Sequence, residues 1–220
     1  MARAILSTLG VMAVLGALLF LPAGTWNWPT AWGLVTFFAV YSIVGYLWLD
    51  PTLIEERSSI PADTRAVDML LAGPAFLFLL PGTFIVCGLD MRLGWSRPMP
   101  AALQWLALVV FALGYCFSLW AAHTNRFFSA VVRIQRERGH HLIDTGPYAL
   151  VRHPGYAGPL VGHIALPLAL GSPWGFVPTL IGGALLMFRA VYEERRLAAE
   201  LPGYGDYMQR VRWRAFPGLW

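Results

Sequence analysis

Lysine is absent from this chain of 220 residues: all sixteen basic side chains are arginine, set against twelve acids. Charge is scarce altogether, at 13% where a soluble domain carries about 25%. Hydrophobic residues make up 57% and the mean hydropathy is +0.57. Such a chain buries too much apolar surface to be disordered, and a soluble domain of this size could not hide it. Cysteine is nearly missing too. Cys87 and Cys116 both lie in apolar runs and form no C-x-x-C pair, which excludes a disulfide scaffold and reads as buried filler. A basic balance carried by arginine on an apolar chain does not describe a nucleic-acid binder, so no such partner is expected. Glycine-rich nucleotide loops, a P-loop, an H-E-x-x-H pair and a G-x-S-x-G elbow are all absent. His140, His141 and Asp144 lack a further nearby ligand, so no metal site is expected.

What is there is a series of apolar runs. A membrane helix needs about 20 mostly apolar residues, and candidates fall at 4–21, 30–49, 67–88, 101–123, 154–170 and from 174 into a charged extension ending near 201. The first is read as a span and not a removed leader, because further spans follow it without a clear cleavage site. Pro159, Pro167, Gly171, Pro173 and Pro178 interrupt the last two, which suggests a tilted or partly re-entrant hairpin. The expectation is therefore an all-α fold, a polytopic membrane helix bundle of about six transmembrane helices, forming one domain. Residues 1–123 would supply a four-helix membrane part. Residues 124–220 would hold the polar chemistry, with a helical cap formed by the C-terminal region.

The arginines orient the bundle. Arg92 and Arg97 fall on one side; Arg3, Arg57, Arg65 and every arginine from Arg126 onward fall on the other. By the positive-inside rule the crowded side, with both termini, is cytoplasmic. Trp26, Trp28, Trp32, Trp95 and Trp174 then mark the far interface.

Two polar constellations lie on the arginine side. In Asp144–Gly158, Pro154 pushes His153 out of helical conformation and itself suits the first turn of the fifth helix. Arg152 and His153 thus sit at a helix N-terminus, where free amides and a positive dipole favour a carboxylate or phosphate. The bland alternative is that Arg152 snorkels to lipid phosphate and His153 caps the helix. In 189–197, Glu193 and Glu194 are neighbours about 100° apart on a helix, so one can face a pocket while the other faces water. The competing reading is a pair of i,i+4 bridges, Arg189 with Glu193 and Arg196 with Glu200. His163, ten residues beyond His153 and inside a span, reads as a neutral histidine bonded to a neighbouring helix.

Gly146-x-Tyr148-x-x-x-Arg152-His153-Pro154-x-Tyr156-x-Gly158, followed by Glu193-Glu194-x-x-Leu197, resembles the isoprenylcysteine carboxyl methyltransferase and phospholipid N-methyltransferase superfamily. The tail, Gly203-Tyr204-x-x-Tyr207 and Val211-x-Trp213-Arg214-x-x-Pro217, is similar to its bacterial members. Asp50-Pro51-x-Leu53-x-x-Glu56-Arg57 and Val132-x-Ile134-Gln135 fit as well. The resemblance implies an integral membrane methyltransferase that uses S-adenosylmethionine on its cytoplasmic side. Carried over, it puts Tyr148, Arg152, His153, Tyr156, Gly158, Glu193 and Glu194 at the cofactor. Arg152, His153 and Glu194 would be the catalytic set. The acceptor would be lipophilic or lipidated and would arrive from among the membrane lipids, bearing a carboxylate, an amine or a thiol.

Two alternatives stand beside it. Steroid reductases that use NADPH share a related R-H-P-x-Y-x-G-E signature, but Pro159 stands here in place of the last glutamate. A non-catalytic scaffold of the same fold is the other. The Ala-, Gly-, Pro- and Arg-rich composition suggests a GC-rich genome, hence a prokaryotic inner membrane.

Overall fold

The computed structural model describes residues 2–58 and 66–220, with side chains described for 8–54, 56 and 67–220. Of the arginines used for orientation, Arg65 and the side chains of Arg3 and Arg57 fall outside these described residues. Among the described residues the chain is all helical, with elements α1 (Ala2–Ala23), α2 (Pro29–Trp48), α3 (Pro51–Ser58), α4 (Ala66–Leu77), α5 (Thr83–Leu93), α6 (Ala101–Thr124), α7 (Pro154–Ala169), α8 (Phe176–Glu200) and α9 (Tyr204–Arg210). Among the described residues four stretches are long and apolar enough to cross a membrane: Pro29–Trp48, Val67–Leu93, Ala101–Thr124 and Pro173–Glu200. With α1 and α7 they form the polytopic bundle expected from the sequence. α7 is the short member. Its 16 residues extend roughly 24 Å at 1.5 Å each, short of a hydrocarbon core about 30 Å thick.

Proline sets several boundaries. Pro29 and Pro154 open α2 and α7, where a missing N–H costs nothing. Pro81 lies within a span, and there the chain takes one wide turn over Phe78–Gly82 that joins α4 to α5. Thr83 Oγ1 donates to the Phe78 carbonyl at 3.1 Å, the same carbonyl that takes the Thr83 amide across the wide turn.

Glycine sets the closest contact. α6 and α7 cross where Gly114 faces Gly158: a Cβ on Gly158 would lie 2.1 Å from the Gly114 carbonyl oxygen, and one on Gly114 2.4 Å from that of Gly158. No other residue fits either place. Away from the arginine-rich end, Leu19, Phe84, Phe111 and Leu166 are fully buried in one core. Polar staples tie this end: Thr83 with Thr179 at 3.1 Å, Thr30 with Gln104 at 3.3 Å, and the Ser96 amide on Asp90 at 2.8 Å. Trp26 stacks on Trp32 with ring centres 6.1 Å apart, and Trp95 meets Trp174 edge-on at 6.2 Å. Leu21, Leu70, Leu106, Leu113 and Phe188 are among the large apolar side chains exposed on the outside, as lipid contact requires. Cys87 is buried as expected; Cys116 is exposed, because its face of α6 turns outward.

Candidate functional site

The arginine-rich end is built by pairing segments distant in sequence. After α6 the chain crosses a long loop, and Arg152 and His153 then lie alongside the C-terminal tail: their amides donate to the carbonyls of Trp213 at 2.9 Å and Arg214 at 2.7 Å. Gly203, at φ 80°, takes the left-handed conformation that turns α8 into α9. Leu201, Tyr204 and Tyr207 then pack with Ile134, Leu142, Leu197 and Val211 to roof the bundle. The Tyr207 hydroxyl donates to the Tyr148 carbonyl at 2.7 Å. The two upstream motif pieces also meet. Glu56 of α3 accepts from Arg133 Nε at 2.9 Å and from its NH2 at 3.1 Å, and Arg138 reaches Thr52 at 3.0 Å. Arg133 and its hydrogen bonds hold the Glu56 carboxyl below its ordinary range.

Under this roof lies a chamber of about 500 Å³, within the roughly 300–1,000 Å³ typical of small-molecule sites. Its upper part is lined by Tyr148, Arg152, His153, Tyr156, Glu193 and Arg196, with Tyr204 and Tyr207 above. Its lower part descends between helices and is bounded by Tyr41, Phe76, Tyr115, Ser118, Pro159 and Leu186. α2 packs on α1 and α6, and α4 packs on α8. α2 and α4 scarcely touch each other, although Tyr41 and Phe76 from these two helices both line the chamber.

The two adjacent glutamates go to different places. Glu193 lines the chamber and accepts a hydrogen bond from the Tyr156 hydroxyl. Glu194 does not face water, as the sequence suggested one of them should. It is 3% exposed and lies behind the chamber wall. Its Oε2 takes Arg152 Nε at 2.7 Å and stands 3.4 Å from His153 Nε2, while its Oε1 takes Arg214 Nε at 2.7 Å. Arg152 NH1 donates to the carbonyls of Val211 and Arg212, both at 2.8 Å. The anion that Arg152 and His153 were expected to attract is thus supplied within the chain. Gly158 also lies outside the chamber lining, at the α6–α7 contact; the signature glycine serves helix approach.

A second buried carboxylate was not singled out from the sequence. Asp68 in α4 is fully buried. It accepts from Arg189 Nε at 2.7 Å and NH2 at 3.3 Å, and from the Val132 amide at 2.9 Å. Arg189 continues to the Ala130 carbonyl and the Tyr156 hydroxyl, 2.8 and 2.7 Å away. A chain of contacts therefore runs Asp68–Arg189–Tyr156–Glu193. The i,i+4 bridge Arg196–Glu200 forms at 3.1 Å, but Arg189 turns from Glu193 toward Asp68. An acid in an apolar run was the available signal.

Tyr204 has a buried hydroxyl with no hydrogen-bond partner and lines the chamber. Burial, with Glu194 and Glu193 near, holds its phenol well above the ordinary value, so it remains a neutral hydroxyl. His140 also borders the chamber. Its ring stacks on Phe127 with centres 4.5 Å apart, and Nδ1 accepts the Gln135 amide at 3.2 Å. Burial, then the nearby His141, Arg133 and Arg138, pull its pKa down to about 4.

Residues 102–203 match the family described as phospholipid methyltransferase. That match covers just under half of the chain. A probable protein-S-isoprenylcysteine O-methyltransferase of Oryza sativa subsp. indica is 34% identical over 111 residues, 49% of this chain and 58% of the relative. Protein-S-isoprenylcysteine O-methyltransferase B of Arabidopsis thaliana is 31% identical over 89 residues, 40% of this chain and 45% of the relative. The chain thus spans about half the length of the curated relatives it matches. Both the matched family region and the chamber's upper wall contain Tyr148, Arg152, His153, Tyr156 and Glu193.

Proposed function

We propose that the protein transfers a methyl group from S-adenosylmethionine to a lipophilic acceptor at the cytoplasmic end of the bundle. One observation carries the reading: a single chamber joins a polar upper part, lined by the R-H-P-x-Y motif and Glu193, to an apolar lower part among the helices. The residues present fit the cofactor. It carries an ammonium, a carboxylate and hydroxyls; the chamber offers the Glu193 carboxylate, the Arg196 guanidinium and the unpartnered Tyr204 hydroxyl. Tyr148, Tyr156 and His153 complete that wall, with Tyr156 holding Glu193. When bound, the cofactor supplies an electrophilic methyl on a sulfonium, displaced in line by the acceptor's nucleophile.

The chain's own residues position and exclude. The roof of Leu201, Tyr204 and Tyr207 keeps bulk water from the upper chamber. The loose seam between α2 and α4 lets a lipid chain enter from the side while the head group meets the polar end. Arg152 and Glu194, which the family resemblance would place at the cofactor and among the catalytic set, act here as the knot that holds the wall. His153 keeps one face toward the chamber and stays a candidate to receive a proton from an amine or thiol acceptor.

The test is methyl transfer from labelled S-adenosylmethionine in membranes that contain the protein, with identification of the labelled product. A labelled lipid or lipidated product, lost on Glu193→Gln, is the expected result. No labelled product, together with thermal stabilisation by NADPH and none by S-adenosylhomocysteine, would replace this reading with that of a reductase.

A further inference from the structure

Four arginines line the chamber, and each is held by an acid of its own. Arg133 pairs with Glu56 at 2.9 Å, Arg152 with Glu194 at 2.7 Å, Arg189 with Asp68 at 2.7 Å and Arg196 with Glu200 at 3.1 Å. Glu193 lines the same space, and among the described residues no arginine bridges it. Helical spacing predicts otherwise. Arg189 stands four residues before Glu193 on α8, the place from which opposite charges meet on a helix. The carboxylate in the wall stays open because its natural partner is engaged elsewhere.

Asp68 is what engages it. Fully buried near the start of α4, it takes Arg189 Nε at 2.7 Å on one oxygen and NH2 at 3.3 Å on the other, with the Val132 amide at 2.9 Å. A two-pronged guanidinium–carboxylate contact in a dry place outweighs a single pair along a helix. Arg189 NH1 is left to donate to the Tyr156 hydroxyl at 2.7 Å. A guanidinium can only donate, so the one phenolic proton of Tyr156 goes on to Glu193. Tyr156 thus stands between the cation and the second acid. By formal charge Asp68, Arg189 and Glu193 together are one cation short.

We propose that Asp68 is a positioning residue for the site: by holding Arg189 it keeps the guanidinium off Glu193, which remains free to take the ammonium of the bound cofactor. The proposal rests on the reading of Glu193 as the group that meets that ammonium. It adds a residue on α4 that does not itself line the chamber. Besides Asp68, Glu193 is the acid that acts on Arg189, one hydroxyl away. With Asp68 made neutral, the guanidinium and the ligand ammonium compete for that one carboxylate. Binding then weakens although every group that touches the ligand is still present.

The test is titration calorimetry of S-adenosylhomocysteine, which carries the same ammonium, into purified variants held well below their thermal midpoints. Asp68→Asn is expected to bind about tenfold more weakly than wild type, and Asp68→Asn with Arg189→Met to return to within about threefold of it. In a Glu193→Gln background Asp68→Asn should change the affinity no further, since no carboxylate is left to protect; a merely structural role would lower it there too. Wild-type affinity in Asp68→Asn, or a folded double variant that binds no better than the single one, would overturn the proposal. Should Asp68→Asn fail to fold, the double variant decides alone, by binding near wild type or by its loss. Should wild type not bind S-adenosylhomocysteine at all, the methyl-transfer reading falls, and thermal midpoints still decide whether Asp68 keeps Arg189 off Glu193. Glu193→Gln should then lower the midpoint more in Asp68→Asn than in wild type, because it breaks a newly formed ion pair; equal shifts in the two backgrounds would overturn the proposal.

Discussion

Two buried carboxylates hold the chamber, and they do so from opposite sides. Glu194 closes the roof side, tying Arg152 at the start of α7 to Arg214 in the tail. Asp68 closes the membrane side, tying α4 to α8 and, through Val132 and Ala130, to the long loop. In the Glu194 knot the carboxylate stays behind the wall while Arg152 and His153 line the chamber, and the knot ends in backbone carbonyls. The Asp68 knot continues through Arg189 to Tyr156 and so to Glu193 inside the chamber. The first therefore governs whether the wall exists; the second governs how its binding groups are aimed.

Substitution separates these roles. Glu194→Ala leaves Arg152 buried without a counter-charge, and loss of one partner of a buried pair costs about 3–5 kcal/mol. It is expected to give the largest fall in thermal midpoint, with cofactor binding lost alongside the fold. Asp68→Asn should cost somewhat less, about 2–3 kcal/mol, because Arg189 keeps Ala130 and Tyr156. Asp68→Asn with Arg189→Met should recover part of that loss, measured as a double-mutant cycle. A cycle with no coupling would mean that the two side chains do not act as a pair.

Glu193→Gln should leave stability within about 1 kcal/mol while lowering the affinity for S-adenosylhomocysteine at least about tenfold, or 1.4 kcal/mol. The smallest effect is one of pH. The folded state holds His140 neutral, with its pKa down at about 4, against about 6.5 in an unfolded chain. Its contribution is thus complete above pH 6.5 and is lost as pH falls from there toward 4. His140→Phe should flatten the acid limb of the thermal midpoint against pH; an unchanged slope would place the acid sensitivity elsewhere.

The same comparison explains what was legible in the sequence. The apolar runs marked the helices of the bundle, four of which are long and apolar enough to cross a membrane among the described residues, because each must satisfy its own backbone in lipid. The R-H-P motif marked the start of α7, because proline leaves few options there. Glu194 was visible as a residue, yet its position was misjudged. Adjacency on a helix says that two side chains diverge, not that the second reaches solvent; Arg152 and Arg214, 42 and 20 residues away, decide that. Gly158 was read with the site because it stands in the motif, whereas its partner Gly114 is 44 positions away on another helix. Asp68 showed only as an acid in an apolar run, with no motif around it. Only the fold shows that Arg189, 121 residues later, meets it.

The central claim is that Glu193 faces a cofactor site while Glu194 holds its wall. Titration calorimetry of S-adenosylhomocysteine into the purified protein tests it most directly. The account predicts binding to wild type and binding at least about tenfold weaker to Glu193→Gln, at an unchanged melting temperature. No binding to wild type, or equal affinity in the folded Glu193→Gln variant, would contradict it.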